Sequence, residues 1–252
     1  MHLYGAERGL RPNPLNLTWV IPAQGMWRLR ALPRYPPGYR FFAGKGETGI
    51  GARLHLVTGD RHLPDHIVAV VEKVRPWVDQ VHLRWKSRTA REMYRLGSRL
   101  LERGLLTSGQ LVVHDRLDVA MALGCGIHLP EAGLPVDRVR EIVGCRHRVG
   151  VSVHSVRAAE QAAALGADYL MFGHVFSTPS KPGIPPKGLE LLSRVVRAVK
   201  VPVLAIGGIN AERIPRVMET GCAGVAVLSA LMDSPNPEGA ARRMRARLDR
   251  LS

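Results

Sequence analysis

A histidine at the end of a short apolar run is the residue of this chain best placed for chemistry. The run over 167–173 reads Ala-Asp-Tyr-Leu-Met-Phe-Gly, and His174 follows it directly. A loop containing Thr178, Ser180 and Lys181 comes next, as expected where a buried strand delivers a titratable side chain to the mouth of a site. An imidazole with a pKa of about 6.5 can give or take a proton at neutral pH. The pattern therefore indicates a candidate acid–base residue beside hydroxyl and amino groups.

The ends of other apolar runs carry groups suited to binding anions or substrates. They are Arg84 and Lys86, Asp115, Ser152, Gly207 and Gly208, and Leu228 and Ser229. The glycine pair alone is also compatible with a simple tight turn. Together with the loop at Ser229 it predicts a phosphate site, because glycines let backbone amides approach phosphate oxygens.

The elements that must position these residues alternate regularly from residue 54 onward. Eight short apolar runs alternate with eight segments of helical periodicity, which predicts a (β/α)8 TIM barrel with buried parallel strands. An open doubly wound sheet is the main alternative, but no Gly-x-Gly-x-x-Gly follows the first strand. The predicted strands are 54–58, 80–85, 110–114, 126–129, 148–154, 168–174, 201–207 and 224–230. The predicted helices are 65–77, 88–103, 117–123, 136–143, 156–165, 189–199, 211–220 and 238–248.

Residues 1–52 differ from the rest, since prolines punctuate them without a sustained period of either kind. We predict a poorly structured extension there, or a stretch that precedes the true translation start, and a barrel domain over 53–252.

The composition of the chain limits the kinds of molecule that it is expected to bind. The net charge of +15 over 252 residues favours phosphorylated small molecules. Arginines are spread over nearly every predicted helix, which argues against a nucleic-acid patch. The 3 cysteines show no paired spacing, and no apolar run approaches the ~20 residues of a membrane span. We expect a cytoplasmic protein.

Asp115 allows three interpretations from the sequence: a magnesium ligand, the N-cap of the helix that starts beside it, or an orienting partner for Arg84. Histidines also end several predicted strands, at His114, His128 and His154. Their neighbours are basic or apolar, which argues against a metal cluster, so no metal ligand is predicted.

Several motifs follow one another along the chain. They begin at Val81 (VHLRWK), Val113 (VHDRLDVA), Gly126 (GIHL), Gly150 (GVSVHS), Gly166 (GADYL), Lys187 (KGLELL), Ala205 (AIGG) and Gly224 (GVAVLS). As an ordered set they resemble the thiamine phosphate synthase and TenI group of thiamine-biosynthesis barrels, over residues 53–235. The resemblance implies a small-molecule phosphate enzyme, with a homo-oligomer common in the family.

Two departures from the synthase pattern suggest a change of reaction. The family's second acid, a ligand for the magnesium that neutralises departing pyrophosphate, has Gly133 at its apparent position, although Glu131 stands nearby. Phe-Gly-His-Val-Phe over 172–176 resembles the TenI branch, whose members look like thiazole tautomerases with a histidine there.

We therefore expect a thiazole tautomerase that aromatises a carboxythiazole phosphate and needs no cofactor. His174 would move the proton, and Arg84 and Lys86 would hold the substrate carboxylate. The loops that contain Gly207 and Gly208 and Leu228 and Ser229 would hold the phosphate. Asp115, Ser152, Thr178, Ser180 and Lys181 would be further loop or substrate contacts. The alternatives are a thiamine phosphate synthase that requires Mg²⁺, and a catalytically silent regulator that binds a phosphorylated ligand.

Overall fold

A computed structural model describes residues 52–251, in which eight parallel strands close into a barrel with each strand pairing with its sequence neighbours. Strand β1 pairs with β8 to complete the closure. This confirms the predicted (β/α)8 TIM barrel. The predicted N-terminal extension lies outside the described residues except for Ala52. The strands are β1 (Arg53–Val57), β2 (Gln80–Leu83), β3 (Leu111–His114), β4 (Gly126–Leu129), β5 (Val149–Val153), β6 (Tyr169–Gly173), β7 (Val203–Ile206) and β8 (Gly224–Val227).

Helices follow the strands in alternation. They are α1 (Pro64–Val74), α2 (Ala90–Glu102), α3 (Leu117–Leu123), α4 (Val136–Val143), α5 (Val156–Ala164), α6 (Gly188–Ala198), α7 (Ile214–Met218), α8 (Ser229–Met232) and α9 (Pro237–Asp249). The short helix α8 was not predicted, because its residues continue the apolar run of β8 without a break. None of the helices in this part of the chain is long and apolar enough to span a bilayer.

Helix α2 shows how local sequence fixes an element. The hydroxyl of Thr89 accepts from the backbone N–H of Glu92, and the Glu92 carboxylate accepts from the backbone N–H of Thr89. This capping box satisfies two amide donors that the first turn would otherwise leave open. Met93, Leu96 and Leu100 recur at helical spacing and are buried, so this stripe packs against the strands.

Alternation along β6 divides the core into two layers. Leu170 and Phe172 belong to the large cluster that the helices cover. Tyr169 and Met171 belong to a smaller cluster with side chains of β1, β7 and β8. Because successive strand residues point to opposite faces, the smaller cluster fills the barrel interior. It shares that interior with His55, His82 and His128, which are all buried.

Asp79 anchors the closing helix to the first strand. Its carboxylate accepts from the backbone N–H of Leu54 at 2.8 Å, from Arg245 at 2.5 Å and from Arg53 at 3.1 Å. Burial alone would raise the pKa of Asp79, but the Leu54 amide and the two guanidinium groups together hold it below 3.8. This ion pair is thus a stability element at the end of the barrel where β1 begins.

Candidate active site

One cavity of about 640 Å³ opens at the C-terminal ends of the strands, where TIM barrels place their chemistry. Every site residue singled out from the sequence lies in its wall. These residues are Arg84, Lys86, Asp115, Ser152, His174, Thr178, Ser180, Lys181, Gly207, Gly208, Leu228 and Ser229. The structure brings them together because the loops after β2, β3, β5, β6, β7 and β8 meet around the same opening.

The segment after β2 is fixed by a buried hydroxyl. Thr58, which follows β1 and is fully buried, donates from Oγ1 to the carbonyl oxygen of Arg84 at 3.1 Å. The hydroxyl oxygen of Thr58 also accepts a hydrogen bond from the backbone N–H of Arg84 at 3.0 Å. The Arg84 guanidinium lies 3.5 Å from the carboxylate of Asp60. Asp60 therefore takes the role of orienting partner that had been one interpretation of Asp115.

Positive charge gathers on one side of the cavity. Burial, and after it the charges of Arg84, Lys187 and Lys86, lower the pKa of Lys181. Such mutual repulsion means that these side chains are close enough to act on one ligand together. A ligand with several negative charges would relieve the repulsion and bind here in preference to a neutral one.

Asp115 adds a negative charge to the wall of the same cavity. It is exposed, lines the cavity, and has a left-handed backbone with φ of 58°. The N-cap prediction for Asp115 is wrong, since Arg116 holds the N-cap position of α3 and no side chain caps the helix. Within residues 52–251 the Asp115 carboxylate receives no hydrogen bond, so its oxygens are free for a ligand.

A second carboxylate, that of Glu131, lines the cavity at the end of the neighbouring strand. The backbone N–H of Asp115 donates to the carbonyl of His128 at 2.9 Å, which ties the ends of β3 and β4 together. Gly133 lies outside the cavity wall, in a turn where its N–H donates to the carbonyl of Pro130. Two carboxylates beside a polyanion site are the donor set that Mg²⁺ accepts, so Asp115 and Glu131 fit that ion.

His174 is buried at the base of the loop that follows β6. Its Nε2–H donates to the carbonyl of Ile184 at 3.1 Å. Its own carbonyl accepts from the backbone N–H of Lys187 at 2.9 Å. Both bonds hold the loop that carries Thr178, Ser180 and Lys181, so the ring contributes to shaping the cavity wall.

The glycine pair after β7 is required by packing. A Cβ on Gly207 would come within 2.3 Å of the Cβ of His174, and one on Gly208 within 2.5 Å of the Ser177 carbonyl oxygen. Both glycines have positive φ, at 103° and 65°. The pair therefore lets the ends of β6 and β7 approach closely and leaves its own amides at the cavity surface.

Sequence reasoning missed several wall residues in the segment after β2. Trp85 is buried, and the Arg88 guanidinium lies 4.9 Å from its ring centre. Both line the cavity. Their place next to Arg84 and Lys86 was the available signal. Ser152 was singled out, but its hydroxyl is hydrogen-bonded to Nε2 of His128 at 2.8 Å.

Comparisons with known proteins agree on one family. Residues 54–231 match the family model described as thiamine monophosphate synthase. The chain is 43% identical over 188 residues to the thiamine-phosphate synthase of Roseiflexus castenholzii, covering 74% of this chain and 81% of that one. It is 39% identical over 197 residues to the thiamine-phosphate synthase of Syntrophomonas wolfei, covering 76% and 94%.

Solved structures give the same result. A thiamine phosphate pyrophosphorylase from Pyrococcus furiosus superimposes with a TM-score of 0.70 at 34% identity, covering 79% of this chain and 96% of that one. A 3-hexulose-6-phosphate synthase, at 18% identity and a TM-score of 0.63, shares the fold alone.

The similarity to thiamine-phosphate synthases contradicts the prediction that the chain is a thiazole tautomerase. Relatives at about 40% identity over three quarters of the chain are called synthases, and that outweighs the five-residue motif around His174 on which the tautomerase prediction depended. The isomerase assignment is corrected accordingly; the comparisons support the thiamine phosphate synthase and TenI superfamily and do not show its TenI branch.

Proposed function

Because the chain belongs to the thiamine monophosphate synthase family, we propose that it is a transferase joining a pyrimidine pyrophosphate to a thiazole phosphate. In this reaction a bond from carbon to a pyrophosphate oxygen breaks, and the carbon bonds to the thiazole ring instead. The observation that carries the proposal is the cavity, in which clustered cations and two free carboxylates surround one space. That combination suits a metal-bound pyrophosphate.

The leaving pyrophosphate is the group with the largest charge to be stabilised. We assign its oxygens to Arg84, Lys86 and Lys181, with Thr178 and Ser180 as hydroxyl donors from the same loop. Asp115 and Glu131 would hold Mg²⁺, which neutralises charge on the departing group when bound. The Asp60 carboxylate keeps the Arg84 guanidinium turned toward the cavity.

The phosphate of the thiazole substrate would bind where the loops after β7 and β8 line the cavity. Gly207 and Gly208 lie there, and the short helix α8 starts at Ser229. Loops after the seventh and eighth strands, with the start of a short extra helix, are the usual phosphate site of TIM barrels. The two substrates would then meet inside the cavity, between these loops and the cationic side chains.

His174 has a supporting role in this proposal. The proposed reaction needs a stabilised leaving anion rather than a proton shuttle, and the Nε2–H of His174 is engaged by the Ile184 carbonyl. We therefore assign His174 to positioning the loop of Lys181 instead of to proton transfer.

The test supplies the purified full chain with Mg²⁺, the pyrimidine pyrophosphate and the thiazole phosphate, and follows thiamine phosphate and pyrophosphate. Both products should appear together and disappear with EDTA. Asp115→Asn should lower kcat by about 100-fold or more, since metal charge stabilisation is worth several kcal/mol.

Asp118→Asn is the matched control. Asp118 lies three residues further along, outside the cavity wall, and its carboxylate pairs with Arg116 at 2.5 Å. Its variant should keep normal turnover. Failure to form either product in the presence of Mg²⁺ would refute the synthase proposal.

A further inference from the structure

Three histidines converge in the barrel interior beneath the cavity floor. His82, His114 and His128 come from the adjacent strands β2, β3 and β4, and one ring nitrogen of each lies within 4.8 Å of the others. His82 and His128 are fully buried, whereas His114 is half-buried and lines the cavity. An ion in the cavity would therefore reach the cluster at His114.

The nitrogen geometry is close to what a metal requires. Nδ1 of His82 and Nε2 of His114 share a hydrogen bond at 2.9 Å, and a metal ion would take the place of the shared proton. Nitrogens that bind one tetrahedral zinc ion at its usual bond length are about 3.3 Å apart. The rings of His114 and His128 stack with centroids 4.4 Å apart, and the candidate ligand nitrogens of all three rings lie within 4.8 Å of one another.

An outer partner engages one nitrogen of His82, because its Nε2 lies 2.9 Å from Nδ1 of His55, to which it can donate its proton. His128 is hydrogen-bonded at both ring nitrogens, with Tyr169 Oη at 3.1 Å from Nδ1 and Ser152 Oγ at 2.8 Å from Nε2, so a metal ion would replace one of these two partners. The remaining partner would then hold the ring proton and fix the tautomer, as is common for ligating histidines.

We propose that His82, His114 and His128 form a binding site for a divalent transition metal of the zinc type, distinct from the magnesium position. Three imidazoles with an open fourth position toward the cavity suit Zn²⁺ or Co²⁺ and do not suit Mg²⁺. Arg84 and Lys86 face His114, and Arg148 acts on His82, so the surroundings oppose any weakly bound cation. The site does not depend on the proposed synthase activity.

The test titrates EDTA-treated, dialysed full-length protein with ZnCl₂ in a calorimeter and with CoCl₂ in a spectrophotometer. We expect one equivalent to bind, with visible Co²⁺ absorption bands of a four-coordinate nitrogen site. His114→Gln and His82→Gln should each weaken binding by at least tenfold, because even loss of an outer-sphere partner costs about 10-fold to 100-fold. His114 is the half-buried member, so its variant decides the question if His82→Gln does not fold.

His154→Gln is the matched control. His154 lines the same cavity but lies outside the cluster, with its Nδ1–H donating to the carbonyl of Gly173. It should bind zinc as the wild type does, and so should Asp115→Asn. Absence of zinc binding by the wild type would overturn the proposal, as would equal binding by the wild type and His114→Gln.

Discussion

Replacing Thr58 with valine should loosen the cationic side of the cavity while preserving side-chain shape. The hydroxyl of Thr58 is fully buried and makes two hydrogen bonds to the backbone of Arg84, at 3.1 Å and 3.0 Å. Valine removes both and leaves the partly buried N–H and carbonyl of Arg84 without this partner. Each unsatisfied group costs about 1–3 kcal/mol, and relaxation of the loop recovers part of that, so we expect a loss of about 2 kcal/mol in the free energy of unfolding.

Urea unfolding followed by circular dichroism measures this loss as a lower midpoint with an unchanged slope. Thr58→Ser keeps the hydroxyl and removes one methyl group, so its loss should stay near 1 kcal/mol. The same pair separates function from stability. Thr58→Val should raise the KM for the pyrophosphate-bearing substrate through displaced Arg84, whereas Thr58→Ser should not. A valine variant as stable as the wild type, with the same KM, would refute the role of this hydroxyl.

Three further predictions concern other parts of the barrel. Gly208→Ala should lower the free energy of unfolding by at least about 1 kcal/mol, read as a lower melting temperature, because its new Cβ would lie 2.5 Å from the Ser177 carbonyl at a φ of 65°. For Asp79, whose pKa is held below 3.8, the stabilising contribution is present above that pH and is lost as the pH falls through the folded-state pKa. Asp79→Asn should therefore lose about 1.5 kcal/mol at pH 7 and show a flatter acid-unfolding curve, while an unchanged curve would contradict the Arg245 ion pair. Lys181→Met should weaken inhibition by added pyrophosphate roughly tenfold in steady-state assays, since one charge-assisted hydrogen bond is worth about 1–2 kcal/mol, and equal inhibition would remove Lys181 from the anion site.

The barrel was predictable because its evidence is periodic and repeated. Each strand is an apolar run, and a segment of helical periodicity follows it. The C-terminal ends of the parallel strands must then lie at the same end of the barrel. That reasoning alone brought His174, Arg84 and Gly208 to one cavity. It did not find α8, whose residues Ser229–Met232 are as apolar as the strand before them.

Contacts between strands were beyond sequence reasoning. The histidine cluster depends on register, since His114 pairs with His128 across β3 and β4, and His82 with Val112 across β2 and β3. A single sequence gives which residues share a face of one strand, but it does not give which residues of two strands lie at the same height. Strand register also keeps His154, which follows the end of β5, outside the cluster.

The predicted reaction was wrong because the prediction depended on the short motif around His174 and gave too little weight to the other residues of the cavity. Phe-Gly-His-Val-Phe places a histidine in the cavity, and the structure agrees with that placement. Placement does not determine a role, since the Nε2–H of His174 is already used by Ile184. The free carboxylate of Asp115 was the more informative feature, and only its backbone conformation and lack of a helix-capping bond reveal it.

The absence of an acid at Gly133 follows from the turn that Pro130 starts. A Cβ at Gly133 would lie 2.8 Å from Cδ of Pro130 and 3.1 Å from its carbonyl oxygen. An aspartate could enter position 133 only if Pro130 moved. Within this turn Glu131 is the acid that reaches the cavity wall. On the proposed function, the second magnesium ligand has therefore shifted by two residues along the same loop, and the pair with Asp115 is retained.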